Sequence, residues 1–159
     1  MHRILQLLEQ DARITPARIA KMLGMTEQEV KDSIRKYEQD DVILGYKAIV
    51  DWGKIKRDNV TALIEVRVRP QTGAGFDELA QRIYNHKQVV DMYLMSGSFD
   101  FTIIVNGRSL QEVSRFVSEK LSSIEPVIST ATHFILKKYK DHGTVMGRKT
   151  KEESMLVTP

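Results

Sequence analysis

A chain of 159 residues with 42% apolar content can bury one modest core or two small ones, and nothing larger. It has no cysteine, which excludes a disulfide scaffold, a thiol nucleophile and a thiolate zinc site and suits a reducing cytoplasm. The net charge of +3 permits a nucleic-acid partner, but residues 1–51 hold 8 Lys/Arg against 9 Asp/Glu and the remainder 16 against 12, so the basic excess lies in the second part of the chain. The longest apolar runs, such as residues 103–105 with nearby Phe101, are far short of the roughly 20 residues of a membrane span. Residues 1–10 are amphipathic with no small-residue cleavage site after them, so the expectation is a soluble cytoplasmic protein with no export signal and no membrane partner.

Ile4, Leu5, Leu7 and Leu8 stand at helical spacing and predict a first helix to about Asp11. Thr15 followed by Pro16 is an N-cap with proline at the first helical position; Ala17, Ile19, Ala20 and Leu23 form one side of that second helix, and Gly24 stops it. Thr26 with Glu29 three residues later is a capping box that opens a third helix over residues 27–39, with Val30, Ile34 and Tyr37 as its buried stripe. Two short helices joined by a turn of about three residues, behind a first helix, match the helix-turn-helix pattern, although a three-helix bundle for protein contacts fits the same spacing. Residues 42–50 turn extended, broken at Gly45, and the polar residues 54–59 read as a hinge.

From residue 61 to 69 the chain alternates, with Ala62, Ile64, Val66 and Val68 on one face, and Pro70 ends the strand. Phe76, Leu79, Ala80, Ile83 and Tyr84 then mark a helix over 75–86. Strands follow at 89–95 and 101–105, joined by the tight segment 96–100. Ser109 and Glu112 form a second capping box ahead of a helix lined by Leu110, Val113, Val117 and Leu121, and residues 127–138 make the last strand. Strand-helix-strand-strand-helix-strand is the ferredoxin-like order. The predicted class is therefore α+β: an N-terminal three-helix helix-turn-helix domain over residues 1–51, a linker at 52–59, a C-terminal ferredoxin-like βαββαβ domain with an antiparallel sheet over 60–142, and a polar tail at 143–159. Leu63, Tyr93, Phe134 and Leu136 are apolar residues beyond what the helix side needs, which predicts burial of the open sheet face by a second copy.

No catalytic constellation is visible. His2, His86, His133 and His142 are scattered without metal-ligand spacing, and Gly73 and Gly75 lack the third glycine of a dinucleotide fingerprint. Asp77 and Glu78 suit a helix first turn. The expectation is a protein that is not an enzyme and needs no cofactor or metal.

Over residues 4–142 the chain resembles the Lrp/AsnC family of transcriptional regulators. In the first domain the resemblance lies in Ile4-Leu5 and Leu8, residues 11–15, Ile19-Ala20, residues 23–26 and residues 42–46. In the second it lies in residues 95–100 and 127–132 with the strand that follows. It implies that residues 27–38 are a recognition helix entering the major groove of double-stranded DNA. Gln28 would then read adenine, Arg35 would read guanine or grip phosphate, and Lys31, Lys36 and Lys47 would meet phosphates; Asp32 shares the exposed face. The chain departs from the family at the acidic Glu27, Glu29 and Asp32, where small polar residues and an arginine are usual. Glu29 belongs to the capping box, Asp32 is placed to pair with Arg35 or Lys36, and Glu27 has no evident partner role. An oligomer engaging several half-sites would offset the weak single domain. For the second domain the resemblance implies homodimers that assemble into tetramers or octamers, with an amino-acid effector bound between dimers at Ser96, Gly97, Ser98, Phe99 and Asp100, completed by Ser129, Thr130 and Thr132 of a neighbouring chain. Against this stands the plainer reading that Gly97 only permits the turn and Asp100 caps it. The function expected is a sequence-specific DNA-binding regulator responsive to an amino acid, and the alternative is an oligomeric sensor or adaptor that has lost DNA binding.

Overall fold

The computed structural model describes residues 2–55, 59–69 and 75–147. The chain divides into two compact units, Met1–Val50 and Asp51–Pro159.

The first unit holds three helices, α1 (Arg3–Gln10), α2 (Pro16–Leu23) and α3 (Glu27–Gln39). Ile4, Leu8, Ile19, Ala20 and Val30 form its core, with Leu7, Leu23, Ile34 and Tyr37 packed around them. Ala17 departs from the expected apolar side of α2 and is exposed. The helix boundaries follow the expected local chemistry. Thr15 Oγ1 accepts from the Arg18 N–H, Pro16 occupies the first position, and Gly24 turns left-handed at φ 67°. A side chain there would be strained, because that backbone region crowds a Cβ against the neighbouring carbonyl. At the start of α3, Thr26 Oγ1 accepts from the Glu29 N–H at 3.2 Å while a Glu29 carboxylate oxygen accepts from the Thr26 N–H at 2.8 Å. Residues 42–50 follow as a segment outside any helix or sheet.

In the second unit a 3₁₀ turn at Trp52–Lys54 stands where the hinge was expected to begin, and residues 56–58 of that hinge lie outside the described residues. Strands β1 (Val60–Val68), β2 (Val89–Leu94), β3 (Phe101–Gly107) and β4 (Val127–Phe134) form one sheet in the order β2-β3-β1-β4, with all pairs antiparallel. Helices α4 (Gly75–Tyr84) and α5 (Leu110–Phe116) cover one face. Ala62, Ile64, Val66 and Val68 of β1 and Phe101, Ile103 and Val105 of β3 pack there against Leu79, Ile83, Val113 and Phe116. This is the ferredoxin-like arrangement: the central strands β1 and β3 bury one full face because helices return over them from both ends.

Several expectations are corrected. Tyr84 and Leu110 are exposed rather than core-facing, and Phe116 takes the core position instead. The helix begun at Leu110 loosens after Phe116 into a π-turn at Val117–Leu121, which shifts the later apolar side chains and lets both Leu121 and Ile124 reach the core. In the second cap Ser109 Oγ accepts from the Glu112 N–H as expected, but the Glu112 carboxylate accepts from the N–H of Arg108 rather than of Ser109. The last strand stops at Phe134, four residues early. Phe134 lies opposite Ala62 and so points to the helix side, while Leu136 lies beyond the strand and is exposed. Where a polar tail was expected from residue 143, a two-residue hairpin pairs Lys140 with Val145 and Asp141 with Thr144. Asp51 Oδ2 accepts from the Gly147 N–H, which ties that hairpin to the start of the unit. The tail beyond residue 147 and the loop residues 70–74, including Gly73, lie outside the described residues.

The face of the sheet opposite the helices carries Leu63, Glu65 and Arg67 of β1, Thr102 and Ile104 of β3, Tyr93 of β2, and Ser129, Ala131 and His133 of β4. Within this unit α4 and α5 both lie on the other side of the sheet. Tyr93 is 54% exposed, and His133 Nε2 stands 3.5 Å from Glu65 Oε1.

Candidate nucleic-acid interface and effector loop

Helix α3 turns Val30 inward with Ile34 and Tyr37 half-buried, so the helical period leaves Glu27, Gln28, Lys31, Asp32, Arg35 and Lys36 in solvent. Each of the first five is engaged by a neighbour on the same helix. Lys31 Nζ pairs with Glu27 Oε1 at 2.6 Å, which supplies the partner role that the sequence left open for Glu27. Gln28 Nε2 donates to Asp32 Oδ1 at 3.0 Å, and Arg35 Nη1 donates to the same oxygen at 3.2 Å. All four ion-pair side chains remain about half or more exposed, so these contacts are weak and exchangeable with water or another partner. Lys36 makes no ion pair among the described residues.

The Glu29 carboxylate is held below the usual glutamate range, first by the Thr26 N–H and then by the Thr26 hydroxyl. Acidic charge at the helix start also suits the partial positive end of the helix dipole. Lys47 stands apart from the group. Tyr46 Oη donates to Glu38 Oε1 at 2.9 Å, and this places the Lys47 backbone beside the last turn of α3, about 15 Å along the axis from Gln28. Burial and that glutamate together raise the Tyr46 phenol above its ordinary value. The structure therefore brings Gln28, Lys31, Asp32, Arg35 and Lys36 together on one helix and leaves Lys47 at its end.

The loop between β2 and β3 is closed by the Met95 N–H donating to the Asp100 carbonyl at 2.8 Å. Asp100 fixes the loop to the end of β1. Its N–H donates to the Val66 carbonyl at 2.9 Å, and its carboxylate Oδ2 accepts from the Val68 N–H at 2.8 Å. Ser96, Gly97 and Ser98 are exposed, while Phe99 and Asp100 are half-buried. Gly97 has neither a left-handed φ nor any atom within 4 Å of where a Cβ would stand. The turn itself does not require glycine. Ser129 and Thr130 lie opposite Arg67 and Val66, at the same end of the sheet as the loop, while Thr132 lies further along β4 opposite Ile64. Alternation sends Ser129 to the open face and Thr130 and Thr132 to the helix side. Within one chain these three residues therefore do not converge.

The family comparisons follow the same division. Residues 2–38 match the AsnC-type helix-turn-helix domain, and residues 61–145 match the Lrp/AsnC ligand binding domain. The chain belongs to the Lrp/AsnC family. Its relatives within it include the uncharacterised HTH-type transcriptional regulator YugG of Bacillus subtilis, 45% identical over 98% of this chain and 95% of that one. The leucine-responsive regulatory protein of Rhizobium meliloti is 29% identical over 87% of this chain and 88% of its own. Among solved structures, MtbAldR superposes with a TM-score of 0.73 at 25% identity, covering 87% of this chain and 93% of that one. The regulator NMB0573 of Neisseria meningitidis, solved with L-methionine, has the same fold, with a TM-score of 0.69 at 19% identity over 89% and 91% of the two chains. As an Lrp/AsnC protein this chain is a helix-turn-helix transcriptional regulator with a separate ligand-binding module. No helix among the described residues is long and apolar enough to cross a membrane.

Proposed function

We propose that this Lrp/AsnC regulator is a homo-oligomer that binds double-stranded DNA through α3 and changes its DNA affinity when an amino acid binds at the loop of residues 96–100. The observation that carries the DNA reading is the solvent face of α3, where Gln28, Lys31, Asp32, Arg35 and Lys36 stand together on a helix held rigidly at its start by the Thr26–Glu29 box. Lys31, Lys36 and Arg35 supply phosphate or guanine contacts, Gln28 a base contact, and Lys47 a phosphate contact beside the far end. The unit of residues 1–51 does the binding, residues 52–59 link it, and the sheet unit assembles the protein. The whole works in the cytoplasm without a cofactor, and catalysis has no part in it.

The effector reading is supported by Gly97. An exposed glycine whose backbone and surroundings would accept a side chain is explained when a group outside the chain needs to approach the N–H closely. Asp100 is partly committed to the Val68 N–H, so an ammonium group would share its carboxylate with that bond. Ser96, Ser98 and Phe99 complete one wall. Ser129 on the open face, or Thr130 and Thr132 on the helix side, would enter from a second chain, as the family resemblance implies, but not all three at one point. The L-methionine bound by the Neisseria relative favours the amino-acid class of effector.

Retention of duplex DNA from upstream of the chain's own coding sequence, measured at rising salt and with each of the twenty amino acids, tests the proposal. Binding that weakens steeply with salt and shifts with one or a few amino acids supports it. A second reading, a sensor or adaptor without DNA binding, draws on the pairing of Gln28, Lys31 and Arg35 with acids of their own helix, and absence of retention even at low salt would favour it.

A further inference from the structure

On the DNA-binding face one carboxylate is used twice. Asp32 Oδ1 accepts from Gln28 Nε2 one turn before it and from Arg35 Nη1 one turn after it, while Oδ2 accepts nothing among the described residues. We infer that Asp32 is a specificity-determining residue of the DNA interface: it orients Gln28 and Arg35 and itself selects a base that offers an exocyclic amino group in the major groove.

The inference rests on α3 being the recognition helix, and follows from what each group is able to give. A carboxylate only accepts, so the Gln28 amide must turn its nitrogen to Asp32 and present its oxygen outward. Arg35 retains guanidinium donors beyond Nη1. Along the exposed face the helix therefore shows an acceptor at Gln28, an acceptor at Asp32 Oδ2 and a fork of donors at Arg35, over a rise of about 10 Å, roughly three base-pair steps. Acceptors on the protein match the amino group of cytosine or of adenine, and the arginine fork matches guanine O6 and N7. Thymine O4 or guanine O6 set against Asp32 would place acceptor against acceptor with one partner charged, which rejects those bases. The same charge repels phosphates, so Asp32 is tolerated on this face only where it meets base edges rather than the backbone.

The test is selection of a randomised duplex library by the full-length wild type, followed by measurement of its affinity, and that of Asp32→Ala and Asp32→Asn, for the selected duplex and each single-base-pair variant. The expected result is a position at which the wild type prefers cytosine or adenine by about tenfold or more, with the identity of the base told by which variants are tolerated. At that position Asp32→Ala loses the preference and Asp32→Asn, whose amide also donates, no longer rejects thymine or guanine, while the binding of both to unrelated duplex becomes tighter because a negative charge is gone. Circular dichroism should show both variants folded, since Asp32 is exposed. Base preferences unchanged in both variants, or weakened equally at every position, would overturn the inference while leaving DNA binding intact. Failure of the wild type to enrich any duplex would instead remove the DNA-binding reading, and the inference with it.

Discussion

Gly107, at the end of β3, has no space for a methyl group. A Cβ there would meet Val113 Cγ2 at 2.8 Å, and Val113 is itself buried in the core under α5. Gly107→Ala should therefore destabilise the sheet unit by about 1–3 kcal/mol through overpacking, seen as a lower denaturation midpoint; an unchanged midpoint would show that α5 yields freely. Asp100→Ala leaves the part-buried Val68 N–H without its acceptor, at a cost of about 1–3 kcal/mol. Gly97→Leu should leave stability unchanged, since nothing stands near it. A loss of amino-acid response in Gly97→Leu at wild-type stability would separate ligand approach from folding, and a retained response would refute the loop's proposed role. At this scale the chain is legible wherever the determinant is local. The pairing of Asp32 with Arg35 follows from a spacing of three residues on one helix. The face taken by Phe134 does not, because it depends on the register against Ala62, some seventy residues away in sequence.

Helix α3 owes its first turn to the Thr26–Glu29 box, and this makes the element sensitive to acid. The folded Glu29 has its pKa below that of an unfolded glutamate, so its contribution is full above the unfolded value and is lost as pH falls through the lowered folded one. Protection of the amides of residues 26–30 in the full-length protein, taken relative to the intrinsic exchange rate at each pH, should therefore fall at pH below the ordinary glutamate range in the wild type, and should lose most of that pH dependence in Glu29→Gln. Equal pH dependence in both would assign it to other carboxylates. Caps, turn glycines and strand alternation made the order of elements readable along the chain, including the ferredoxin-like sequence of strands and helices. The π-turn at Val117–Leu121 was not readable. Its extra residue per turn is stabilised by the fit of Leu121 and Ile124 into a core built from distant strands, and the spacing of Leu110, Val113 and Val117 reads equally well as a regular helix. The early end of β4 has a similar cause: nothing in residues 135–138 breaks a strand, but β1 offers backbone partners only as far as Ala62 opposite Phe134 and the single further bond from the Ile135 N–H to the Thr61 carbonyl.

For the whole molecule, the sheet face opposite α4 and α5 is where a second copy is expected to pack. Tyr93→Glu puts a charge on the edge strand of that face without touching the core and should lower the assembly state in sedimentation velocity; an unchanged mass would place the contact elsewhere. Two small cores joined by a short segment suit a protein in which one unit holds DNA and the other sets how copies are spaced, so that a ligand acts by changing spacing or assembly rather than the recognition helix itself. The most direct test of this account is a fluorescence-anisotropy titration of labelled upstream duplex with the wild type and Arg35→Ala at two salt concentrations. The account predicts salt-sensitive binding by the wild type, with Arg35→Ala weaker at both salt concentrations. No binding by the wild type at either salt, or identical curves for the two proteins, would contradict it.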